Sequence, residues 1–153
     1  MKILVIEDEK DVRLNIVEIL NSGGFDSINA ENGVTGIQLA KEQAPDLILC
    51  DIKMPDFDGY NVLHELRQDP RTAMIPFIFL TAKADKADMR QGMNLGADDY
   101  LTKPFRRLEL LDTIAARIKR HSAQLALQKK AEALQEINVQ KSELLNTITH
   151  DLR

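Results

Sequence analysis

Asp46 to Gly59 reads DLILCDIKMPDFDG, an apolar run that ends on a carboxylate and breaks into a loop of Pro, Asp and Gly. Leu47, Ile48, Leu49 and Cys50 are continuously apolar, as a strand buried on both faces should be. Strands of that kind belong to parallel sheets covered by helices. Asp56 and Asp58, between Pro55 and Gly59, supply turn chemistry before the next helix. Cys50 is the only cysteine and reads as a buried strand residue in preference to a nucleophile. A single cysteine leaves no internal disulfide and fits a reducing cytoplasm.

Outward from this stretch lie four more runs of strand length: KILVI (2–6), DSINA (26–30), PFIFL (76–80) and DDYLT (98–102). Between them fall helical patterns: Val12, Ile16, Ile19 and Leu20; Val34, Ile37 and Leu39; Val62, Leu63 and Leu66; and a weaker one at Met89 and Met93. Glycines and prolines punctuate the joints. Five strands alternating with helices predict an α/β fold, a doubly wound five-stranded parallel sheet. DSINA is the most polar run and suits a place near the sheet edge.

The chain has 153 residues, 44% apolar and 29% charged, with a net charge of −4. That is room for one domain and something extra. The balance gives no global pull toward nucleic acid or anionic lipid. No apolar run approaches the roughly 18 residues of a membrane span, and MKILVIEDE meets acid too early for a signal peptide. The expectation is a cytoplasmic protein with no membrane or nucleic-acid partner.

From Phe105 to Arg153 there is no Pro or Gly. Leu108, Leu111, Ile114 and Ile118 form a stripe able to pack on the sheet. Leu127, Leu134, Ile137, Leu144 and Ile148 then take five of seven positions in an a/d heptad series, with Lys130 and Lys141 in the others. The earlier series of Ile114, Ile118, His121 and Leu125 is out of phase, so the seam shifts near 125–127. A lone amphipathic helix would satisfy the pattern, but a coiled-coil dimer also buries it. The division predicted is 1–120 for the α/β domain and 121–153 for the coiled-coil helix.

In open α/β sheets, ligands bind beyond the carboxyl ends of the strands. The predicted strands end at Glu7-Asp8, Asp51, Thr81 and Lys103, which would gather three carboxylates, a hydroxyl and an ammonium on one rim. Carboxylates crowded together raise each other's pKa, and a hard cation with oxygen ligands relieves this; Mg²⁺ suits so small a site. A metal there prepares Asp51 to attack a phosphoryl group, with Lys103 and Thr81 available to the phosphoryl oxygens.

ILVIEDE, DLILCDIKMPDFDG, FIFLTAKAD and GADDYLTKPF, in this order, resemble the signatures of a response-regulator receiver domain over residues 1 to about 120. The resemblance implies a flavodoxin-like receiver with Asp51 as phosphoacceptor and a histidine kinase or phosphotransfer protein as donor. It implies Glu7 and Asp8 as the metal-binding acidic pair, completed by Asp51 and the backbone carbonyl of Lys53. Glu7 stands where the family often has aspartate, and its longer arm suits contact through water. Thr81 and Tyr100 would form the switch, repacking the face of the fourth helix, fifth strand and fifth helix. A cis Lys103–Pro104 bond is expected, and Lys53 and Lys83 fall where the family tunes dephosphorylation. His64 reads as a surface or boundary helix residue, and His121 as a coiled-coil position or a capped surface residue. Arg106, Arg107, Arg117, Lys119 and Arg120 read as a solvated face.

KSELLNTITHDLR (141–153) resembles the start of a histidine-kinase dimerisation helix, with His150 at the phosphoacceptor place. An unbroken helix from about residue 118 would put His150 on the order of 48 Å away, so it could not feed Asp51. The resulting expectation is the N-terminal input part of a hybrid histidine kinase, paired as a parallel homodimer. The rivals are a stand-alone response regulator that acts by docking and a Mg²⁺-dependent phosphohydrolase.

Overall fold

The structure, a computed structural model, describes residues 1–82 and 86–151, and their side chains apart from those of 86–88 and 146–151. Its elements are β1 (Lys2–Ile6), α1 (Lys10–Ser22), β2 (Asp26–Ala30), α2 (Gly33–Gln43), β3 (Leu47–Asp51), α3 (Gly59–Gln68), β4 (Phe77–Thr81), α4 (Lys86–Asn94), β5 (Asp99–Thr102) and α5 (Arg107–Asp151). All strand pairs are parallel and the order is β2-β1-β3-β4-β5. The order reverses between β1 and β3, which puts their carboxyl ends at the switch point of the sheet. The polar strand β2 takes an edge, as its composition predicts.

Alternation along the strands sorts the core into two layers. Ile3, Val5, Leu47, Leu49, Ile78, Leu80 and Leu101 pack with Ile16 and Leu20 of α1 and Leu110 and Ile114 of α5. Leu4, Ile6, Ile48, Cys50, Phe77 and Phe79 pack on the other face with Ala40 of α2 and Val62, Leu63 and Leu66 of α3. Cys50 is fully buried, as its place in the run predicts.

Two helices turn their apolar stripe inward as the pattern suggests, with Ile37 and Leu39 of α2 and Ile114 and Ile118 of α5 on the core, but each leaves one member of it outside. Val34 of α2 is 64% exposed, while Gly33, Gly36 and Ala40 are buried. A Cβ at Gly36 would collide with the Ile6 side chain, so small residues let α2 lie close on β1. In α5, Leu108 is 71% exposed and Leu110 takes the buried place instead. Asn32 caps α2 by accepting from the Thr35 N–H at 2.8 Å, and Ala44 closes it in the left-handed region.

Met1–Ile118 form one compact unit and Lys119–Arg153 a second. In the second unit, Leu127, Leu134, Ile137, Val139, Leu144 and Leu145 are each more than half exposed. No helix among the described residues is long and apolar enough to cross a membrane.

Candidate functional site

The site follows from where buried strands stop. β1 carries its apolar run to Ile6, and the next residue, Glu7, is fully buried although it is an acid. β3 ends on Asp51 and β4 on Thr81, which are 7% and 5% exposed. β5 ends one residue before Lys103. The parallel register therefore brings a side chain from the end of each of β1, β3, β4 and β5 to the same rim.

Glu7 is bonded through nearly every polar atom it has. Its N–H donates to the Ala30 carbonyl at 3.1 Å, and its own carbonyl accepts from Arg13 Nη1 at 2.9 Å. Oε1 accepts from the Glu9 N–H at 3.2 Å, and Oε2 from Lys103 Nζ at 2.7 Å. The same ammonium lies 3.3 Å from Asp51 Oδ2. Lys103 thus bridges two buried carboxylates, and each of the three would be costly there without the others. Burial pushes the Glu7 carboxyl up to about 7 and Asp51 pushes the same way, against the opposing pull of Lys103 and the Glu9 N–H. Burial also pulls on the Lys103 ammonium, downward, but Glu7 and Asp51 overcome it and its pKa is raised. Burial drives the Cys50 thiol well above its ordinary range, with Asp51 and Glu7 adding to the effect; such a thiol is not a nucleophile.

One carboxylate oxygen from each of Glu7, Asp8 and Asp51 lies within 4.8 Å of the others. This all-oxygen set fits a hard divalent cation. Asp8 is the most open of the three, while both Glu7 oxygens are already taken by Lys103 and Glu9.

The loop after β3 is shaped around Asp51. The Asp51 carbonyl accepts from Cys50 Sγ at 3.3 Å, and a Cβ on Gly59 would run into that carbonyl. Gly59 is glycine because α3 begins directly against the Asp51 backbone; its N–H donates to the Ile52 carbonyl at 2.8 Å. Asp58 caps α3 by accepting from the Asn61 N–H at 2.9 Å, and Asp56 takes a φ of +68°. Both aspartates do the turn work that the sequence assigns them. Lys53 is exposed in this loop. It lines a cavity of about 460 Å³ together with Ile52, Met54, Pro55, Asp58 and Tyr60.

Lys103–Pro104 is cis, as expected. Tyr100 is 36% exposed on the face of the sheet that carries Phe79, its neighbour in β4. His64 is exposed on α3, and His121 is half-buried. Lys83 and the side chain of His150 lie outside the described residues. Within the basic cluster, Arg117 is not merely solvated: its Nε bonds Asp99 Oδ2 at 2.9 Å.

Two arginines escape the sequence reading. Arg67 donates to the carbonyls of Ala73, Ile75 and Gly96 at 3.0, 2.8 and 3.0 Å, and to Asp98 Oδ2 at 3.3 Å. Asp98 Oδ2 also accepts from the Phe77 N–H at 2.7 Å, so the pair joins the end of α3, the start of β4 and the turn after α4. Arg13 anchors the Glu7 carbonyl. Both look like ordinary helix-surface residues in sequence; only the positive φ of 102° at Gly96, beside Arg67, has a legible cue in its glycine.

Comparison with known proteins gives this rim a family. The response regulator receiver domain model matches residues 3–115. The DNA-binding dual master transcriptional regulator RpaA of Synechocystis sp. is 41% identical over 119 residues, 78% of this chain and 49% of that protein. The transcriptional activator protein IrlR of Burkholderia pseudomallei is 39% identical over 123 residues, 80% of this chain and 52% of that protein. The chain thus spans about half the length of these curated relatives. The receiver domain of the sensor histidine kinase PA1611 from Pseudomonas aeruginosa, solved with a magnesium ion in its active-site cleft, is 33% identical. It superposes with a TM-score of 0.72 over 77% of this chain and 97% of that one. A five-stranded parallel sheet that ends in buried acid, threonine and lysine, together with a family match over most of its length, makes this chain a member of the response regulator receiver domain family.

Proposed function

We propose that this chain is the phosphoacceptor receiver of a two-component response regulator. The observation that carries the reading is Lys103 Nζ, held between Glu7 Oε2 and Asp51 Oδ2 at 2.7 and 3.3 Å at the carboxyl rim of the sheet. An Asp51 oxygen attacks the phosphorus of a phosphohistidine or small acyl phosphate. The P–O bond to Asp51 forms as the donor's bond to phosphorus breaks, and the donor side leaves with its electron pair. Lys103 then offers an ammonium and Thr81 a hydroxyl to the phosphoryl oxygens. Asp8, Asp51, the Lys53 carbonyl and, through water, Glu7 would hold Mg²⁺. The ion supplies neutralisation of charge on the transferred group. Thr81 and Tyr100 carry the change to the face of α4, β5 and the first turns of α5.

Support for a regulator, in preference to the input piece of a hybrid kinase, comes from the curated relatives, which are named as transcriptional regulators. The kinase-linked reading rests on the tail resemblance around His150, and no curated relative named above adds to it. The expectation of no nucleic-acid partner also loses ground, because RpaA is named as DNA-binding. The match covers only 49% of that protein. The described tail favours self-association: its exposed Leu127, Leu134, Ile137 and Leu144 share one heptad seam. We assign residues 1–120 to the receiver and 121–153 to a helix that pairs in a parallel homodimer.

The test is incubation with acetyl phosphate and Mg²⁺. A base-labile acyl phosphate on Asp51, absent in Asp51→Asn and absent without the cation, is the expected result. Continuous turnover of small phosphate esters with no such adduct would make the chain a phosphohydrolase instead.

A further inference from the structure

We propose that Arg13 is a positioning residue that sets Asp8 for cation binding, an inference that rests on the phosphoacceptor reading above. Arg13 lies in the first turn of α1, and its Nη1 reaches back to the Glu7 carbonyl at 2.9 Å. That oxygen belongs to the Glu7–Asp8 peptide. Because a peptide is planar, fixing its oxygen fixes the direction in which the Asp8 backbone departs.

Asp8 depends on this more than its neighbours do. Glu7 is tied through its carboxylate to Lys103 and Glu9, and Asp51 is buried beside Lys103. The Asp8 carboxylate has no hydrogen bond or ion pair among the described residues. Its approach to within 4.8 Å of Glu7 and Asp51 oxygens is therefore set by its backbone, and the Arg13 clamp holds that backbone.

Packing alone is a poor account of an arginine here. Arg13 Nε is buried and has no hydrogen-bond partner among the described residues, which on general grounds costs stability. A residue chosen only to fill space would avoid that cost. The charge-assisted bond to the Glu7 carbonyl is the compensating contact.

The test is calorimetric titration of Mg²⁺ into the full chain for wild type, Arg13→Ala, Arg13→Met and Arg13→Lys, with thermal unfolding in EDTA beside it. Losing a partner that orients a metal ligand typically weakens the metal about 10- to 100-fold, and Arg13→Ala should fall near the lower end. Arg13→Lys, which keeps a donor, should recover part of the loss. Phosphorylation of Arg13→Ala by acetyl phosphate should return to the wild-type level at saturating Mg²⁺. Arg13→Met fills similar space without donors and serves if Arg13→Ala does not fold. Wild-type Mg²⁺ affinity in a folded Ala or Met variant, with only a lowered melting temperature, overturns the proposal. Wild-type protein that neither binds Mg²⁺ nor becomes phosphorylated overturns the functional reading beneath it.

Discussion

In Met1–Ile118 the strands β3 and β4 are buried along their whole length, and the few charges taken inside are bridged by Lys103. In Lys119–Arg153 the described apolar side chains from Leu127 to Leu145 stay more than half exposed. The first unit is held together by apolar area removed from water, at roughly 25 cal/mol per Å². The second rests on backbone hydrogen bonds, local side-chain contacts such as Gln128 to Glu132 and the helix propensity of its Ala, Leu, Gln, Glu and Lys, and isolated helices are marginal in water. One unit holds the acidic rim and its own core. The other presents a stripe of exposed apolar side chains.

The largest effect that would break this contrast is at the rim. Asp51→Asn should abolish phosphorylation by acetyl phosphate, read by a phosphate-affinity gel, while the chain remains folded and its tail still associates. Survival of the adduct would move the acceptor elsewhere.

Gly59→Ala forces a Cβ onto the Asp51 carbonyl and within 2.9 Å of the Ile52 Cα. Overpacking against backbone that cannot rotate away should cost about 3 kcal/mol in urea unfolding, all of it in the first unit.

Arg67→Ala removes donors from three carbonyls and from Asp98, for which about 2 kcal/mol is expected. Faster amide exchange should concentrate at Phe77 and in the turn around Gly96. An even spread over the molecule would show that Arg67 is not a local tie.

The Glu7 carboxyl gives a pH signature. Its pKa is raised in the folded chain from 4.5 to about 7, so the folded state binds that proton more tightly than the unfolded state. The stabilisation is complete below about pH 4.5 and is lost as pH rises through 7. Unfolding in EDTA should show stability falling across this window, and Glu7→Gln should flatten that component.

The smallest effect on stability belongs to the tail. Leu134→Glu with Ile137→Glu should shift unfolding of the first unit by less than about 0.5 kcal/mol. In sedimentation the wild type should self-associate and the double variant should not. A monomeric wild type would remove the pairing reading altogether.

Much of the candidate site was legible because its residues directly follow runs of strand length. Glu7 after KILVI, Asp51 after LILC, Thr81 after FIFL and Lys103 after DYLT need only the rule that parallel strands end on one rim. Arg13 and Arg67 were illegible for the opposite reason: their partners are backbone carbonyls, which carry no sequence signal. The inward faces of α2 and α5 were read correctly at Ile37, Leu39, Ile114 and Ile118, and only Val34 and Leu108 lie outside, because periodicity ranks apolar residues by size. Gly36 sits inward because the Ile6 side chain leaves no room for a Cβ.

The sequence by itself determined the five strands, their parallel order of use and the acids at their ends, since burial on two faces demands continuous apolar runs. It also determined that the tail is helical and striped. Only the tertiary structure decided that Glu7 has both oxygens taken by Lys103 and Glu9, leaving Asp8 as the open carboxylate. That distinction comes from the distances at which neighbouring strands bring their ends together, and it separates two adjacent acids that look alike in DIKMPDFDG's companion motif, IEDE.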